Sequence, residues 1–267
     1  MQYLRGEWPQ SAENLQRSIA LAVSFGGTFG EVLGEQRLAL TETAMGRYQP
    51  AFDRLKRALQ VARASDDPLV QWHSIGRILT TLAGNRFGAG DLPAAAEYLA
   101  EGFRVQHEIG ECPGCDVLLY PVAVPIYLAL GQPADAEAAC RQAEETALAF
   151  RSQAWTAAAR YVRGLVCLAQ RDWAAAAEQL TAARDAFAVL GQPYDAARAM
   201  EALGDVAVDS GAPAAQSDAS ALYDSASAEY LRLGAAGDAG RLARKRTGTS
   251  GGMAEEAVGK VRGRGAA

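Results

Sequence analysis

A motif of small residues followed by an alanine-centred segment recurs six times, with a nearly constant period, along the 267 residues of the chain. The spacings between successive units are 40, 44, 41, 40 and 40 residues. A fixed period of this length is typical of helical repeat arrays, in which each unit buries its apolar face only by stacking on its neighbours. The units begin at Trp8, Tyr48, Leu92, Pro133, Trp173 and Pro213.

Five of the six units carry a small residue three positions after their start and a larger apolar residue seven positions after it. Ala51 and Leu55 form such a pair, and Ala176 and Leu180 form another. Offsets of three and seven fall on one face of an α-helix, so the second helix of each unit has an apolar stripe with one close-contact point. Gly164 and Gly204, nine residues before a unit start, are the matching close-contact points on the preceding helices.

Helix-terminating residues divide the chain at regular places. Gly46, Gly90, Gly131 and Gly211 lie where a hairpin bend is expected, and prolines stand at several first helical positions. The pattern predicts twelve helices and no strand. Their predicted ranges are 9–24, 29–46, 48–64, 68–88, 92–109, 115–130, 133–149, 153–170, 173–190, 194–210, 218–233 and 236–245.

The repeated motif resembles the tetratricopeptide repeat (TPR). The likeness is carried by Gly6-Glu7-Trp8-x-x-Ser11, Gly90-Asp91-Leu92-x-x-Ala95 and Arg171-Asp172-Trp173-x-x-Ala176. It implies an all-α fold, a right-handed α-solenoid of about six helix-turn-helix repeats, over residues 1–243 with an incomplete first repeat. Residues 244–267 are expected to form a basic, disordered tail, because Thr247–Gly252 has the composition of a flexible linker.

The period exceeds the usual 34 residues of that family and is similar to the repeats of large bacterial ATP-binding transcription regulators of the LuxR type. The segment from Leu190 to Arg198 carries this second resemblance. In the TPR register, the first helix of each pair lines a concave groove. The resemblance thereby implies a groove lined by Leu33, Gln36, Leu40, Arg77, Thr80, Phe87, Tyr161, Leu165, Arg198 and Glu201.

Composition narrows the class of protein further. No run approaches the roughly 18 apolar residues of a membrane-spanning helix, and charged residues near the N-terminus are unlike a secretory signal. We therefore expect a cytoplasmic protein without membrane contact. The net charge is −5, with +4 on residues 244–267 and −9 on the rest. An acidic body argues against nucleic-acid binding by the solenoid itself.

The start of the chain predicts an interaction edge. Tyr3-Leu4-Arg5-Gly6 looks like the last turn of a helix whose beginning is missing, which would leave helix 9–24 with an uncovered apolar edge. Solenoids need capped ends. This edge would be covered either by further residues upstream or by another chain, the second case giving self-association.

Cys112-Pro113-Gly114-Cys115 is the sharpest local motif for chemistry. Two thiols three residues apart can share a metal ion or form a redox pair, although zinc needs four ligands and no second such pair exists. His107 lies nearby, while Cys140 and Cys167 fall at helical positions that suit buried small hydrophobes. A metal site, a redox pair and a plain turn all remain open for Cys112 and Cys115.

No motif points to catalysis or to a cofactor. The sequence lacks a phosphate-binding G-x-x-x-x-G-K-[ST] loop and a G-x-S-x-G nucleophile elbow, and it holds only two histidines, His73 and His107. We expect no enzyme and no cofactor.

The leading hypothesis is a scaffold that binds a protein or peptide segment in its groove, as part of bacterial regulation. The alternatives are the effector-sensing fragment of a LuxR-type regulator, binding a small molecule, and an adaptor switched by thiols or zinc through Cys112 and Cys115.

Overall fold

The computed structural model describes residues 1–109, 113–211 and 215–246, and within these ranges all regular structure is α-helical. The predicted all-α fold is confirmed, and the predicted helix boundaries agree with the structure to within three residues. The twelve helices of the described residues are α1 Trp8–Ser24, α2 Thr28–Ala44, α3 Tyr48–Ala64, α4 Pro68–Gly88, α5 Leu92–Ile109, α6 Pro113–Ala129, α7 Pro133–Phe150, α8 Gln153–Ala169, α9 Trp173–Val189, α10 Pro193–Asp209, α11 Ala215–Leu233 and α12 Ala236–Arg246. None of the helices that the structure describes combines the length and the apolar character needed to cross a membrane.

The helices form two layers of a solenoid. Each of α2, α4, α6 and α8 packs on the next even-numbered helix, so that these helices and α10 make the inner layer. The odd-numbered helices α1 to α11 pack between them on the outside. Close packing between layers depends on the predicted glycines: a Cβ built on Gly164 would lie 2.5 Å from Leu180 Cγ, and one on Gly204 would lie 2.5 Å from Tyr223 Cε1.

The hairpin bends after the inner helices require a residue with positive φ, which glycine adopts without steric cost. Gly46, with φ +75°, and Gly131, with φ +69°, fill this position after α2 and α6. After α8 the same position holds Arg171, with φ +62°. An L-residue with a side chain is strained there, so this bend stores free energy that the others do not.

The strain at Arg171 leads to a stability prediction. We expect Arg171→Gly to raise the free energy of unfolding by up to about 1 kcal/mol, because relief of the left-handed strain outweighs the extra backbone freedom of glycine when unfolded. Urea denaturation followed by circular dichroism measures the change. Arg171→Ala is the control, since alanine keeps the strain. Equal unfolding free energies for the two variants would contradict the prediction.

The two ends of the solenoid meet. Trp8 is fully buried, and its ring lies 5.3 Å from the ring of Tyr194 at the start of α10, in an edge-to-face contact. At a second point Gly46 contacts Gly237 of α12, where a Cβ on Gly46 would lie 2.7 Å from the Gly237 backbone nitrogen. These contacts join α1 and the bend after α2 to α10 and α12, and the solenoid closes on itself.

This closure corrects the expectation of an uncovered edge on helix 9–24. The N-terminal end of α1 is covered by the chain's own α10 and α11, because Trp8 belongs to one buried cluster with Tyr230 and Leu233. The C-terminal end of α1 remains uncovered: Leu21 is 60% exposed and Phe25 is 85% exposed. The edge on which predicted self-association depends is therefore shorter than the sequence suggested.

Helix α12 continues to Arg246, three residues beyond the predicted end of the solenoid at 243. Ion pairs explain the difference, because Lys245 Nζ lies 2.5 Å from Asp205 Oδ1 and Arg246 Nη1 lies 2.6 Å from Asp224 Oδ1. Two of the basic residues assigned to the tail thus join the last helix to α10 and α11. The rest of the predicted tail, 247–267, lies outside the described residues.

Candidate binding surface on the inner layer

An aromatic and arginine cluster lies on the inner layer where α8 faces α10. The guanidinium carbon of Arg198 lies 4.8 Å from the ring centroid of Tyr161 and 6.0 Å from that of Tyr194. Such distances allow cation–π attraction, which holds the guanidinium in place. The Arg198 side chain is nevertheless 37% exposed, so a ligand can reach it. We call Tyr161, Tyr194 and Arg198 the arginine cluster.

The donors of Arg198 are largely unused. Its described carboxylate partner is Asp195, with Nη1 and Oδ1 3.5 Å apart, a long contact that engages only part of the guanidinium fork. Arg163 differs: it donates to Glu137 and to Glu144 at 2.8 Å. An arginine presents a planar fork of donors that suits carboxylates. Arg198 therefore has free donor capacity that Arg163 lacks.

Partial burial shapes the electrostatics of the cluster. Burial raises the pKa of Asp195, an effect that the nearby Arg198 opposes. Burial alone would lower the pKa of Arg198, but Tyr161, Tyr194 and Asp195 hold that pKa well above its ordinary value. The guanidinium is thus charged at every physiological pH. Because water is partly excluded, its attraction for an incoming anion is stronger than at an open surface.

The N-terminal segment also reaches this cluster. Burial raises the pKa of the Tyr3 phenol, and the charges of Asp195 and Arg198 also act on it. Tyr194 donates a hydrogen bond to Asp238 of α12, with the oxygens 2.8 Å apart. The closed ends of the solenoid therefore form one wall of the arginine cluster.

A mostly apolar cavity of about 380 Å³ lies next to the arginine cluster, towards the bend that follows α8. Leu165, one turn beyond Tyr161 on α8, is part of its wall, and Arg171 and Asp209 supply its polar groups. Its other lining residues are Pro125, Leu128, Leu168, Ala169 and Trp173. Along α8, Tyr161 thus contacts the guanidinium of Arg198, and one turn further Leu165 lines the cavity.

Three of the predicted groove residues are committed to contacts inside the protein. Gln36 is fully buried and donates to Thr81 Oγ1 at 2.7 Å, joining α2 to α4. Thr80 is 4% exposed and donates to the carbonyl of Gly76 in its own helix. Glu201 is 6% exposed and accepts hydrogen bonds from Tyr230 and Arg241. Burial removes all three from the candidate surface.

The remaining predicted groove residues are partly accessible. Arg77 donates from Nη1 to the carbonyl of Gly114 at 2.9 Å, which links α4 to α6. Phe87 packs against the central apolar cluster. Leu33 and Leu40 are half-buried on α2. Of the predicted set, Tyr161 and Arg198 come together as a group able to contact a ligand, and Leu165 lies one turn beyond Tyr161 in the wall of the neighbouring cavity.

Tyr194 was missed as a surface residue by the sequence analysis, although a signal for it exists. It lies four residues before Arg198, so both side chains share one face of α10. An aromatic residue four positions from an arginine is the spacing that permits stacking. The cavity beside Trp173 had no such signal, because its wall combines residues of four helices, α6, α8, α9 and α10, that only the packed structure brings together.

The cysteine motif is only partly described. Cys112 lies outside the described residues. The Sγ of Cys115 lies 3.4 Å from Nδ1 of His73, across α6 and α4. Within the described ranges, no group of three or more histidine, cysteine, aspartate or glutamate side chains is arranged to hold a metal ion. Burial raises the pKa of the Cys140 thiol to about 12, which fits the predicted role of a buried hydrophobe.

These features define a helical-repeat protein whose stacked hairpins present an inner layer of helices. One similar solved structure is the crystal structure of BtubC (BKLC) from P. vanneervenii, with 20% sequence identity and a TM-score of 0.55. The match covers 85% of this chain and 92% of that one. At this identity the likeness shows the fold alone. No protein-family model and no curated protein matches the chain.

Proposed function

We propose that the chain is a non-catalytic scaffold that binds a segment of another protein along its inner layer. The observation that carries this proposal is Arg198: its guanidinium is charged, lies beside two tyrosine rings, is accessible, and has its carboxylate partner Asp195 at a long distance of 3.5 Å. An arginine placed in this way can offer most of its donors to the acceptors of a ligand. Structural arginines of this chain, such as Arg163, have their acceptors built in.

The geometry favours a segment with an acidic group and an apolar side chain. A carboxylate would bind the Arg198 fork, and the tyrosine rings would contact the adjoining chain. An apolar side chain would fill the cavity that begins at Leu165. The contact between Arg198 and the carboxylate would orient the bound segment. Burial of the apolar side chain in the cavity would supply much of the affinity.

The test is affinity capture from native lysate with quantitative mass spectrometry, comparing the wild-type chain with Arg198→Ala. We expect a partner recovered by the wild type to bind the variant about 10- to 100-fold more weakly, since hydrogen bonds to charged groups contribute about 1.5–3 kcal/mol. Purified components then give the dissociation constants. Tyr161→Ala should weaken binding in the same direction, because it removes one of the two rings that hold the guanidinium.

Arg232→Ala is the matched control. This arginine lies on α11 with 60% of its side chain exposed and pairs only with Glu229 in the described structure, so binding should be unchanged. Circular dichroism melting establishes that the variants remain folded. If every captured partner binds Arg198→Ala and Tyr161→Ala as tightly as the wild type, the inner layer is not the binding surface.

A further inference from the structure

A second apolar surface lies on the outside of the solenoid, where the end of α7, the start of α8 and the end of α9 meet. Leu148 is 78% exposed and Val189 is 86% exposed, and both line one open cavity of about 690 Å³. Phe150 lies close by in sequence and is 46% exposed. Apolar side chains exposed beside a concave site mark interaction surfaces in soluble proteins. We call this the outer cavity.

The outer cavity uses a different face of α8 from the arginine cluster. Its lining on this helix includes Gln153, Thr156 and Arg160, whereas the inner layer presents Tyr161 and Leu165. The apolar part of its wall also includes Leu190 and several alanines. Its volume falls in the range of sites that enclose several apolar groups. This surface is therefore separate from the one in the proposed function.

Arg151, at the rim of the outer cavity, has a strained backbone. Its φ is +50°, and it follows α7 directly. The corresponding bends after α1 and α9 contain Gly26, with φ +67°, and Gly191, with φ +65°. Glycine would remove the strain, so the arginine side chain is present at the expense of stability. Strain of this kind at a cavity rim points to a role for the side chain.

The rim of the outer cavity is positively charged. Arg151 and Arg160 both line it, and within the described part of the chain neither guanidinium forms an ion pair or a hydrogen bond. Asp185, the acidic group of the lining, is neutralised by Arg184 at 2.8 Å. This rim contrasts with the acidic body of the chain, which carries a net charge of −9 over residues 1–243. Charge complementarity therefore selects an acidic occupant.

We propose that the outer cavity binds an acidic amphipathic helix of a partner protein. Apolar side chains one turn apart on that helix would enter the cavity beside Leu148 and Val189. Carboxylates flanking the stripe would bind Arg151 and Arg160. The site is concave and formed by three helices, which suits the ridge of a helix better than a flat lipid surface.

The test uses a displayed library of helical peptides of about four turns, with leucines fixed along one face and glutamate, lysine or serine allowed at the flanking positions. We expect selection on the intact chain to enrich glutamate over lysine at the flanks. Fluorescence anisotropy with the enriched peptides should give about tenfold weaker binding to Arg151→Gly. The melting temperature of Arg151→Gly should equal or exceed that of the wild type, because glycine relieves the strain.

Two controls separate this site from the inner layer. Arg198→Ala should bind the enriched peptides as the wild type does, so the outcome here is independent of the proposed function. Leu148→Ser should abolish enrichment if the peptides occupy the cavity. The proposal is overturned if lysine is enriched as often as glutamate, or if Arg151→Gly binds the selected peptides with unchanged affinity. Binding of the chain to anionic phosphatidylserine vesicles, with no peptide enrichment, would also overturn it.

Discussion

Replacement of Trp8 by alanine is expected to lower the free energy of unfolding by about 3–5 kcal/mol, the range for truncating a buried large aromatic residue. Trp8 is fully buried although it lies only eight residues from the N-terminus. Its indole nitrogen donates to the carbonyl of Tyr3 at 3.0 Å, and its ring packs on Tyr194. The variant would lose contacts with both ends of the chain at once.

Thermal and urea denaturation followed by circular dichroism measure this effect. Trp72→Ala is the matched control, because Trp72 is 39% exposed and its truncation leaves a much smaller buried void. In an open solenoid, Trp8 would lack its contacts with Tyr194, Tyr230 and Leu233, and its truncation would cost less. Similar unfolding free energies for the two variants would therefore contradict the closed arrangement.

The second large effect is expected at the bend after α2. Gly46→Ala should lower the free energy of unfolding by about 1–3 kcal/mol more than Gly131→Ala. Both variants place alanine at a positive φ, with a shared cost of about 1–2 kcal/mol. Only Gly46 has a neighbour in the way, since its Cβ would meet the backbone of Gly237, while a Cβ on Gly131 meets nothing within 4 Å. The additional cost is that of overpacking.

Parallel urea denaturation of the two glycine variants isolates the contact between α12 and the bend. The two positions follow inner helices of the same register, so local helix-capping effects are common to both. We expect the free energy of unfolding to fall more for Gly46→Ala than for Gly131→Ala. Equal losses at Gly46 and Gly131 would show that α12 does not pack on this bend.

The repeat units and helices could be predicted because their signals are local. Ala51, Ala136 and Ala176 are all fully buried, as their position one turn before the next apolar residue of the stripe predicts. The closure could not be predicted in this way. Gly6, Gly46 and Gly131 look alike in sequence, and only the curvature accumulated over twelve helices brings the first two against the other end of the chain.

The candidate surface was predicted only in part, for a related reason. Gln36, Arg198 and Glu201 all suit an inner-helix register, yet Gln36 is fully buried and Arg198 is accessible. The difference depends on which side chain the neighbouring helix places opposite. Thr81 takes up the amide of Gln36, and Arg241 and Lys245 neutralise Glu201. For Arg198 the neighbouring helix α8 places the ring of Tyr161 opposite, and this ring contact leaves guanidinium N–H donors available to a ligand.

The most direct test of the closed solenoid is whether the rings of Trp8 and Tyr194 are in contact in solution. A deuterated chain with protonated tryptophan and tyrosine rings allows nuclear Overhauser effects between aromatic protons to be measured, with Tyr194→Phe for assignment. Because the ring centroids are 5.3 Å apart in the closed solenoid, we expect cross-peaks from the Trp8 indole to the Tyr194 ring. Cross-peaks from Trp8 to Tyr3 alone would mean that the ends are apart and that the solenoid is open.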